Sequence, residues 1–174
     1  METTMLITRE ELALRRISLD KTYPAERFDF PGGEFWPVGA VSVKGSAELV
    51  GADIRIHGHV TTRVGAECDR CTASAEIPVE QDFDLLYRPV SAIAREEEIE
   101  IPPDELDVGF YPGDGINLAD VVKEQVTLSL PMKVVCRADC RGLCPVCGAN
   151  LNRGTCHCQP PKSESPFASL LKSE

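Results

Sequence analysis

Alternation of apolar and polar residues is the clearest pattern in this chain, and it extends over residues 38–87. Three runs, at residues 41–49, 54–66 and 77–87, place an apolar side chain at nearly every second position and are separated by turn-forming residues. Such alternation is typical of antiparallel strands with one face buried and the other in water. The pattern therefore predicts an antiparallel β meander.

A helical period appears once, between Asn117 and Leu130. Asn117 is a good N-cap residue, and Pro131 ends the segment because it cannot continue a helix. The apolar positions that recur at helical spacing are Leu118, Val121, Val122 and Val126. We therefore predict one main helix over residues 117–130.

These elements together predict an α+β fold, a mostly antiparallel β meander with one main helix packed on it and a Cys-rich tip like a zinc ribbon. We place the β domain at residues 1–134. A Cys-rich metal-binding segment at 135–160 is joined to the Cys68/Cys71 turn, and residues 161–174 form a tail. Residues 1–37 fit neither period cleanly, and we predict only a short strand over Arg15–Leu19 there.

Composition narrows the class of protein. Hydrophobic residues make up 43% of the 174 residues, which is enough for a folded core. No apolar run reaches the ~20 residues that a membrane helix needs, and the first residues lack the apolar core of a secretory signal. We therefore expect a cytoplasmic protein with no membrane partner. The net charge of −10 argues against a protein that coats nucleic acid non-specifically.

The charge is unevenly distributed. Residues 94–108 hold seven acidic residues and one basic residue, which is typical of a solvated loop and less often of an acidic binding arm. Residues 132–162 hold five basic residues and one acidic residue. The side chains that we consider as contacts for RNA or another partner are Arg55, His57, His59 and Arg63 on a predicted strand and Arg137, Arg141 and Arg153 near the cysteines.

Eight cysteines carry the strongest chemical signal. In a reducing compartment, cysteines at short spacings bind metal more often than they form disulfides. Zinc prefers four soft ligands in a tetrahedron, and the short spacings let two thiolates reach one ion. The cysteines are Cys68 and Cys71, then Cys136 and Cys140, then Cys144 and Cys147, and finally Cys156 and Cys158.

We predict two structural zinc sites from these spacings, each with four cysteine ligands. Cys144 and Cys147 pair with Cys156 and Cys158 across a short turn-forming stretch, because loop closure over so few residues costs little entropy. The other four, Cys68, Cys71, Cys136 and Cys140, then make the second set. A different arrangement pairs Cys140 with Cys144, and an iron–sulfur cluster would use the same ligands.

No catalytic motif is present in the sequence. There is no GxSxG, P-loop, GxGxxG or HExxH, and a closed site with four thiolate ligands has no open position for a substrate. We therefore predict a protein that is not an enzyme and has no small-molecule substrate. The alternatives are a thiol redox or metal-dependent enzyme, and a zinc-stabilised protein-interaction module.

Three features of the sequence resemble those of a known family. The Cys68-Asp-Arg-Cys71 sequence, the helix ending in Leu130-Pro131 and the run CRADCRGLCPVCGANLNRGTCHC at residues 136–158 resemble the YceD family of large ribosomal RNA subunit accumulation proteins. The resemblance implies a bacterial or organellar protein that supports synthesis, processing or stability of 23S rRNA, and large-subunit assembly, without known catalysis. It implies 23S rRNA, a large-subunit ribosomal protein or an assembly factor as the partner.

Overall fold

The computed structural model describes residues 6–30, 33–92 and 108–159. Most of the acidic segment, residues 93–107, and the whole of the predicted tail lie outside these described residues. The chain forms two compact units. The sheet unit comprises Met1–Ala66 and Glu76–Met132, and the cysteine unit comprises Glu67–Ala75 and Lys133–Glu174.

Eight strands and two α-helices occupy the described residues. The strands are β1 Leu6–Thr8, β2 Ile17–Tyr23, β3 Phe35–Pro37, β4 Val41–Val50, β5 Asp53–Glu67, β6 Ser74–Pro89, β7 Val108–Tyr111 and β8 Gly115–Asn117. The helices are α1 Arg9–Leu14 and α2 Leu118–Ser129, with short 3-10 turns at Ala25–Arg27 and Val90–Ala92. No helix in this described part of the chain is long and apolar enough to cross a membrane.

The main sheet has the strand order β2-β4-β5-β6-β7, with β3 paired to β5, while β1 and β8 form a separate two-stranded sheet. The central strands β4, β5 and β6 coincide with the three alternating runs of the sequence. One edge of the sheet lies outside the predicted meander, and there β7 runs parallel to β6. Parallel neighbours need a connection of about a dozen residues or more, and residues 90–107 supply that length. The sheet is therefore mixed, although mostly antiparallel.

Alternation along β4 and β5 places one row of side chains in the core of the sheet unit. The fully buried members are Val41, Val43, Ala47, Ile54, Ile56, Val60 and Val64. Helix α2 adds Val122 and Val126 to the same cluster. The Asn117 side chain caps α2 by accepting a hydrogen bond from the Ala119 amide at 3.1 Å, which confirms the predicted helix start.

The N-terminal region contains more regular structure than the sequence pattern predicts. Thr8 and Glu11 form a capping box that starts the short helix α1, and Arg15 ends it. Strand β2 therefore begins at Ile17 and continues to Tyr23, whereas the prediction covered Arg15–Leu19. Only two of its seven residues, Leu19 and Tyr23, are buried. Its alternation is consequently weak, as expected for a strand at the edge of the sheet.

Candidate metal centres

The turn from Cys68 to Cys71, which we call the first knuckle, lies between β5 and β6. Thr72 donates its backbone N–H to the Cys68 carbonyl at 2.8 Å, and the Cys68 N–H donates to the Ala73 carbonyl at 2.8 Å. The two bonds close a tight loop around the Cys68 and Cys71 thiols. Such a loop places two thiols that are close in sequence on the same side of the backbone. A single metal ion can then bind both.

The turn from Cys144 to Cys147, the second knuckle, repeats this backbone arrangement. Gly148 donates to the Cys144 carbonyl at 2.9 Å, and Cys144 donates to the Ala149 carbonyl at 2.8 Å. The Val146 N–H also points at the Cys144 sulfur, at 3.4 Å. Two separate segments of the chain therefore build the same thiol-presenting turn, which argues that both perform the same chemical task.

The first thiol group consists of Cys68, Cys71, Cys136 and Cys140, whose sulfurs all lie within 4.8 Å of one another. The Cys68 and Cys140 sulfurs are 3.9 Å apart, and the Cys71 and Cys136 sulfurs are 3.6 Å apart. In a tetrahedral zinc site with Zn–S bonds of about 2.3 Å, neighbouring sulfurs stand about 3.8 Å apart. The group therefore has the dimensions and the ligand type that zinc requires.

The second thiol group consists of Cys144, Cys147, Cys156 and Cys158, and its sulfurs also lie within 4.8 Å of one another. Cys144 is buried, while Cys147 and Cys158 are exposed. This group is thus more open to solvent than the first, in which all but Cys136 are buried. The structure brings together the same two sets of four cysteines that the spacing predicts, with Cys140 in the first group.

Backbone amides favour ionisation of the first thiol in each knuckle. N–H groups, with that of Cys136 having the largest effect, lower the pKa of Cys68 to about 6. The N–H groups of Cys147 and Val146 lower the pKa of Cys144 to about 6. Burial raises the pKa of Cys136 to about 12. Each group thus contains a thiol whose ionisation the backbone favours, and metal binding must displace the protons of the thiols that remain protonated.

Asp69 and Arg70, the two residues between Cys68 and Cys71, hold the distant segment at residues 134–143 in place. The Val134 N–H donates to the Asp69 carboxylate at 2.6 Å, and the Asp69 N–H donates to the Val134 carbonyl at 2.9 Å. Arg70 donates from Nη1 to the Cys140 carbonyl at 2.9 Å, and its own carbonyl accepts from Leu143 at 2.9 Å. Asp69 and Arg70 therefore position Cys136 and Cys140 against Cys68 and Cys71.

Asn152 links the second group to the first. Its side-chain oxygen accepts hydrogen bonds from the Arg141 N–H at 2.8 Å and from Arg137 Nη2 at 3.0 Å. Its side-chain nitrogen donates to the Cys140 sulfur at 3.3 Å. The cysteine pattern did not indicate Asp69 or Asn152, because neither residue is itself a metal ligand. The only local signal was an amide residue within the turn-forming stretch between Cys147 and Cys156.

The predicted basic strip on β5 is neutralised by acidic residues of β6. Arg55 makes two hydrogen bonds to one carboxylate, at 2.8 and 2.6 Å, and these pairings lower the pKa of that carboxyl group. The ion pairs are Arg55 with Asp84 and Arg63 with Glu76, and His59 Nδ1 lies 2.7 Å from the Asp82 carboxylate. The charges of this sheet face are thus largely satisfied internally.

His57 lies in a network with Arg16 and Ser46. Arg16 donates to the Ser46 hydroxyl from Nε at 2.9 Å and from Nη2 at 2.7 Å, and Nη2 lies 3.2 Å from His57 Nε2. A guanidinium can only donate, so His57 Nε2 accepts and the ring proton sits on Nδ1. Among the described residues, Nδ1 is buried and has no hydrogen-bond partner. Arg16 and Ser46 therefore hold the His57 ring in place on the sheet.

Among the described residues, two arginines beside the thiol groups lack the acidic partners that Arg55 and Arg63 of β5 have. Arg137 pairs with Asp139 at 3.3 Å in addition to its bond with Asn152. Arg141 and Arg153 are exposed, and within the described residues neither side chain forms an ion pair. Arg141 and Arg153 therefore remain available to a polyanion beside the thiol groups.

Comparison with known proteins identifies a family whose sequence pattern this chain matches. Residues 56–172, more than half of the chain, match the family described as "Large ribosomal RNA subunit accumulation protein YceD". The matched region begins within β5 and includes every cysteine of both thiol groups. No solved structure matches the chain.

Individual relatives bear related names. "Large ribosomal RNA subunit accumulation protein YCED homolog 1, chloroplastic" of Arabidopsis thaliana is 24% identical, over 94% of this chain and 59% of that protein. The Zea mays protein of the same name is 28% identical, over 68% of this chain and 49% of that protein. An uncharacterized protein of Mycobacterium leprae is 31% identical, over 60% of this chain and 46% of its own length. The chain spans about half the length of these relatives.

Proposed function

The chain belongs to the YceD family, and on that basis we propose that it is a non-catalytic, zinc-stabilised factor that supports the accumulation of large-subunit ribosomal RNA. The observation that carries the proposal is the placement of two four-cysteine groups in one unit whose exposed Arg141 and Arg153 have no acidic partner in the described part of the chain. In this proposal the metal maintains a surface, and that surface meets the ribosomal partner.

We assign a structural role to the metal because each thiol group can fill all four positions of a tetrahedral zinc site. Metal bound there would supply folding energy and would leave no position for a substrate. The thiols of Cys68, Cys71 and Cys140 are buried, which keeps them from small oxidants and disfavours a thiol redox role. Iron–sulfur ligation uses the same thiols, and metal analysis of the purified protein separates the two.

We propose that the partner is the sugar–phosphate backbone of 23S rRNA, contacted by Arg141 and Arg153. Arginine binds phosphate with two parallel hydrogen bonds, and this recognition requires a side chain that is not already paired. That requirement favours these residues over Arg55 and Arg63, whose guanidinium groups face carboxylates of β6. We further place the protein in the cytoplasm, where bacterial ribosomes assemble.

A large-subunit ribosomal protein is the second candidate partner, and the net charge of −10 favours it. Ribosomal proteins are strongly basic, so an acidic chain attracts them over a distance set by the ionic strength. In this version the protein acts as an adaptor, and its association with large-subunit precursors survives treatment with nuclease.

One binding experiment tests the proposal. Binding to 23S rRNA fragments is measured at several salt concentrations for the wild type, for Arg141→Gln/Arg153→Gln and for the matched pair Arg55→Gln/Arg63→Gln. We expect the first pair to weaken binding about tenfold or more and to lower the salt dependence by about two charges, and the second to change little. Equal losses in both pairs would contradict the assigned surface.

Sedimentation of the tagged protein through a gradient of ribosomal particles tests the family-level role separately. We expect it to travel with precursors of the large subunit and to leave them after arginine substitution or chelation. Migration only as free protein under gentle lysis would contradict a ribosomal function. Association that persists after nuclease would assign the contact to a ribosomal protein.

A further inference from the structure

We propose that Asn152 couples the two thiol groups, so that metal in one group raises the affinity of the other. This inference rests on the proposed metal binding. Asn152 lies between Cys147 and Cys156 in sequence, so it belongs to the loop that the second group closes. Its side-chain nitrogen nevertheless donates to Cys140, a member of the first group, at 3.3 Å.

The loop that carries Asn152 is attached to the first group at several points. Asn152 Oδ1 accepts the Arg141 N–H at 2.8 Å, immediately after Cys140, and the Leu151 N–H donates to the Gly142 carbonyl at 2.9 Å. Gly142 has φ +75°, and a Cβ there would come within 2.9 Å of the Arg70 carbonyl. Residues 140–142 are therefore packed between the first knuckle and the Asn152 loop.

A hydrogen bond within the loop shows how ordering of the loop affects the first thiol group. The Asn152 N–H donates to Asn150 Oδ1 at 2.9 Å, which fixes the turn from which the Asn152 side chain projects. Without metal in the second group, the loop between Cys147 and Cys156 must lose its conformational freedom before Asn152 can meet Cys140. With metal present that entropy has already been lost, and the N–H···S bond forms without further cost.

The coupling has a definite direction and size. A hydrogen bond donated to a ligating thiolate stabilises its negative charge, and removal of such an outer partner typically lowers metal affinity by about 10- to 100-fold. Because coupling free energies are reciprocal, metal in the first group must raise the affinity of the second by the same factor. We therefore expect the two groups to fill together, and a half-loaded protein to be scarce.

The test compares Asn152→Asp with Asn150→Asp in the full chain. Asp at 152 keeps the oxygen that Arg137 and Arg141 use, but it replaces the N–H that faces Cys140 with an oxygen that repels the thiolate. Asp at 150 adds the same charge in the same loop and keeps its acceptor oxygen for the 152 amide. Zinc is added in substoichiometric amounts, the free thiols are alkylated, and protected cysteines are counted by mass spectrometry.

For the wild type and Asn150→Asp we expect molecules with no protected cysteine or with eight to outnumber clearly those with four. For Asn152→Asp we expect molecules with four protected cysteines to accumulate. Abundant four-cysteine species in the wild type, or the same distribution in all three proteins, would overturn the coupling while leaving the two metal sites intact. Absence of any protection would overturn the metal proposal itself, and this inference with it.

A second measurement does not depend on partial loading. Co²⁺ titration of Cys147→Ser/Cys158→Ser, which disables the second group, reports the affinity of the first group through its thiolate absorption bands. We expect this affinity to be about tenfold or more below that of the second step in the wild type, in which the other group already holds metal, and to change little when Asn152→Asp is already present. Equal losses in both backgrounds would overturn the role of Asn152.

Discussion

Thr72 and Gly148 occupy the same position in the two knuckles, one residue after the second cysteine, and both have positive φ, at 55° and 71°. A left-handed backbone at this position lets the N–H return to the carbonyl of the first cysteine. Glycine adopts it freely, whereas a β-branched residue adopts it only under strain of about 1–3 kcal/mol. The first knuckle therefore keeps its shape through surrounding contacts, and the second keeps it through residue type.

Gly148→Ala should destabilise the cysteine unit by about 1–2 kcal/mol, because the left-handed conformation is unfavourable for a residue with a Cβ. The space around Gly148 is open, so the loss comes from the backbone alone. Gly154→Ala is the matched control, since its surroundings are equally open and its φ lies outside the left-handed region. Urea unfolding of the zinc-loaded proteins measures both. Equal effects at the two positions would contradict this account.

Removal of metal should unfold the cysteine unit and leave the sheet unit folded. Structural zinc contributes about 10–16 kcal/mol in small domains, and the core of the sheet unit contains none of the cysteines. We expect a chelator to expose the amides of Leu143, Cys144 and Gly148 to hydrogen exchange. The fluorescence of Trp36, which lies in the sheet unit, should stay constant. Continued protection of the Gly148 amide without metal would refute the prediction.

Gly65→Ala should destabilise the sheet unit by about 1–3 kcal/mol through overpacking. A Cβ at Gly65 would overlap the indole ring of Trp36, its partner in the β3–β5 pairing. Thermal unfolding measures the loss. In a Trp36→Ala background the same substitution should be nearly neutral, because the overlapping ring is gone. A loss of equal size in both backgrounds would show that the cause lies elsewhere.

Alkaline pH should destabilise the sheet unit through Tyr87. Burial, with a smaller contribution from Glu124, raises the pKa of Tyr87 to about 12. The fold thus favours the neutral phenol, and stability that is complete below about pH 10 is lost as the pH rises toward about 12. Allowing for partial exposure, we expect a loss of about 1 kcal/mol. Tyr87→Phe should lose less stability over the same interval, and identical pH profiles for the two proteins would argue against this role.

Periodicity and spacing predicted the parts of the molecule that depend on local sequence. The three alternating runs became β4, β5 and β6, and the cap at Asn117 fixed the start of α2. The sequence did not predict α1, because a six-residue helix is too short to show a period. It did not predict the parallel pairing of β7, because four residues carry no information about direction.

The thiol groups likewise have a part that the local sequence predicts and a part that it does not. The spacing of the cysteines placed Cys144 with Cys147, and exclusion then placed Cys136 with the distant Cys71. The residues that hold those ligands in position, among them Asp69 and Asn152, act through hydrogen bonds across 65 and 12 residues. Contacts between residues so far apart in sequence depend on tertiary structure, so no local sequence pattern predicts them.

The reach of the Asp69–Val134 contact also sets an order of assembly. Successive ligands of the second group have at most eight residues between them, whereas Cys71 and Cys136 enclose 64 residues, most of them in the sheet unit. Before the sheet unit has folded, closing the longer interval costs about 2 kcal/mol more in chain entropy. A newly made chain also presents its first knuckle long before Cys136 and Cys140 exist. The second group should therefore form early as a local nucleus, onto which the waiting first knuckle is then joined.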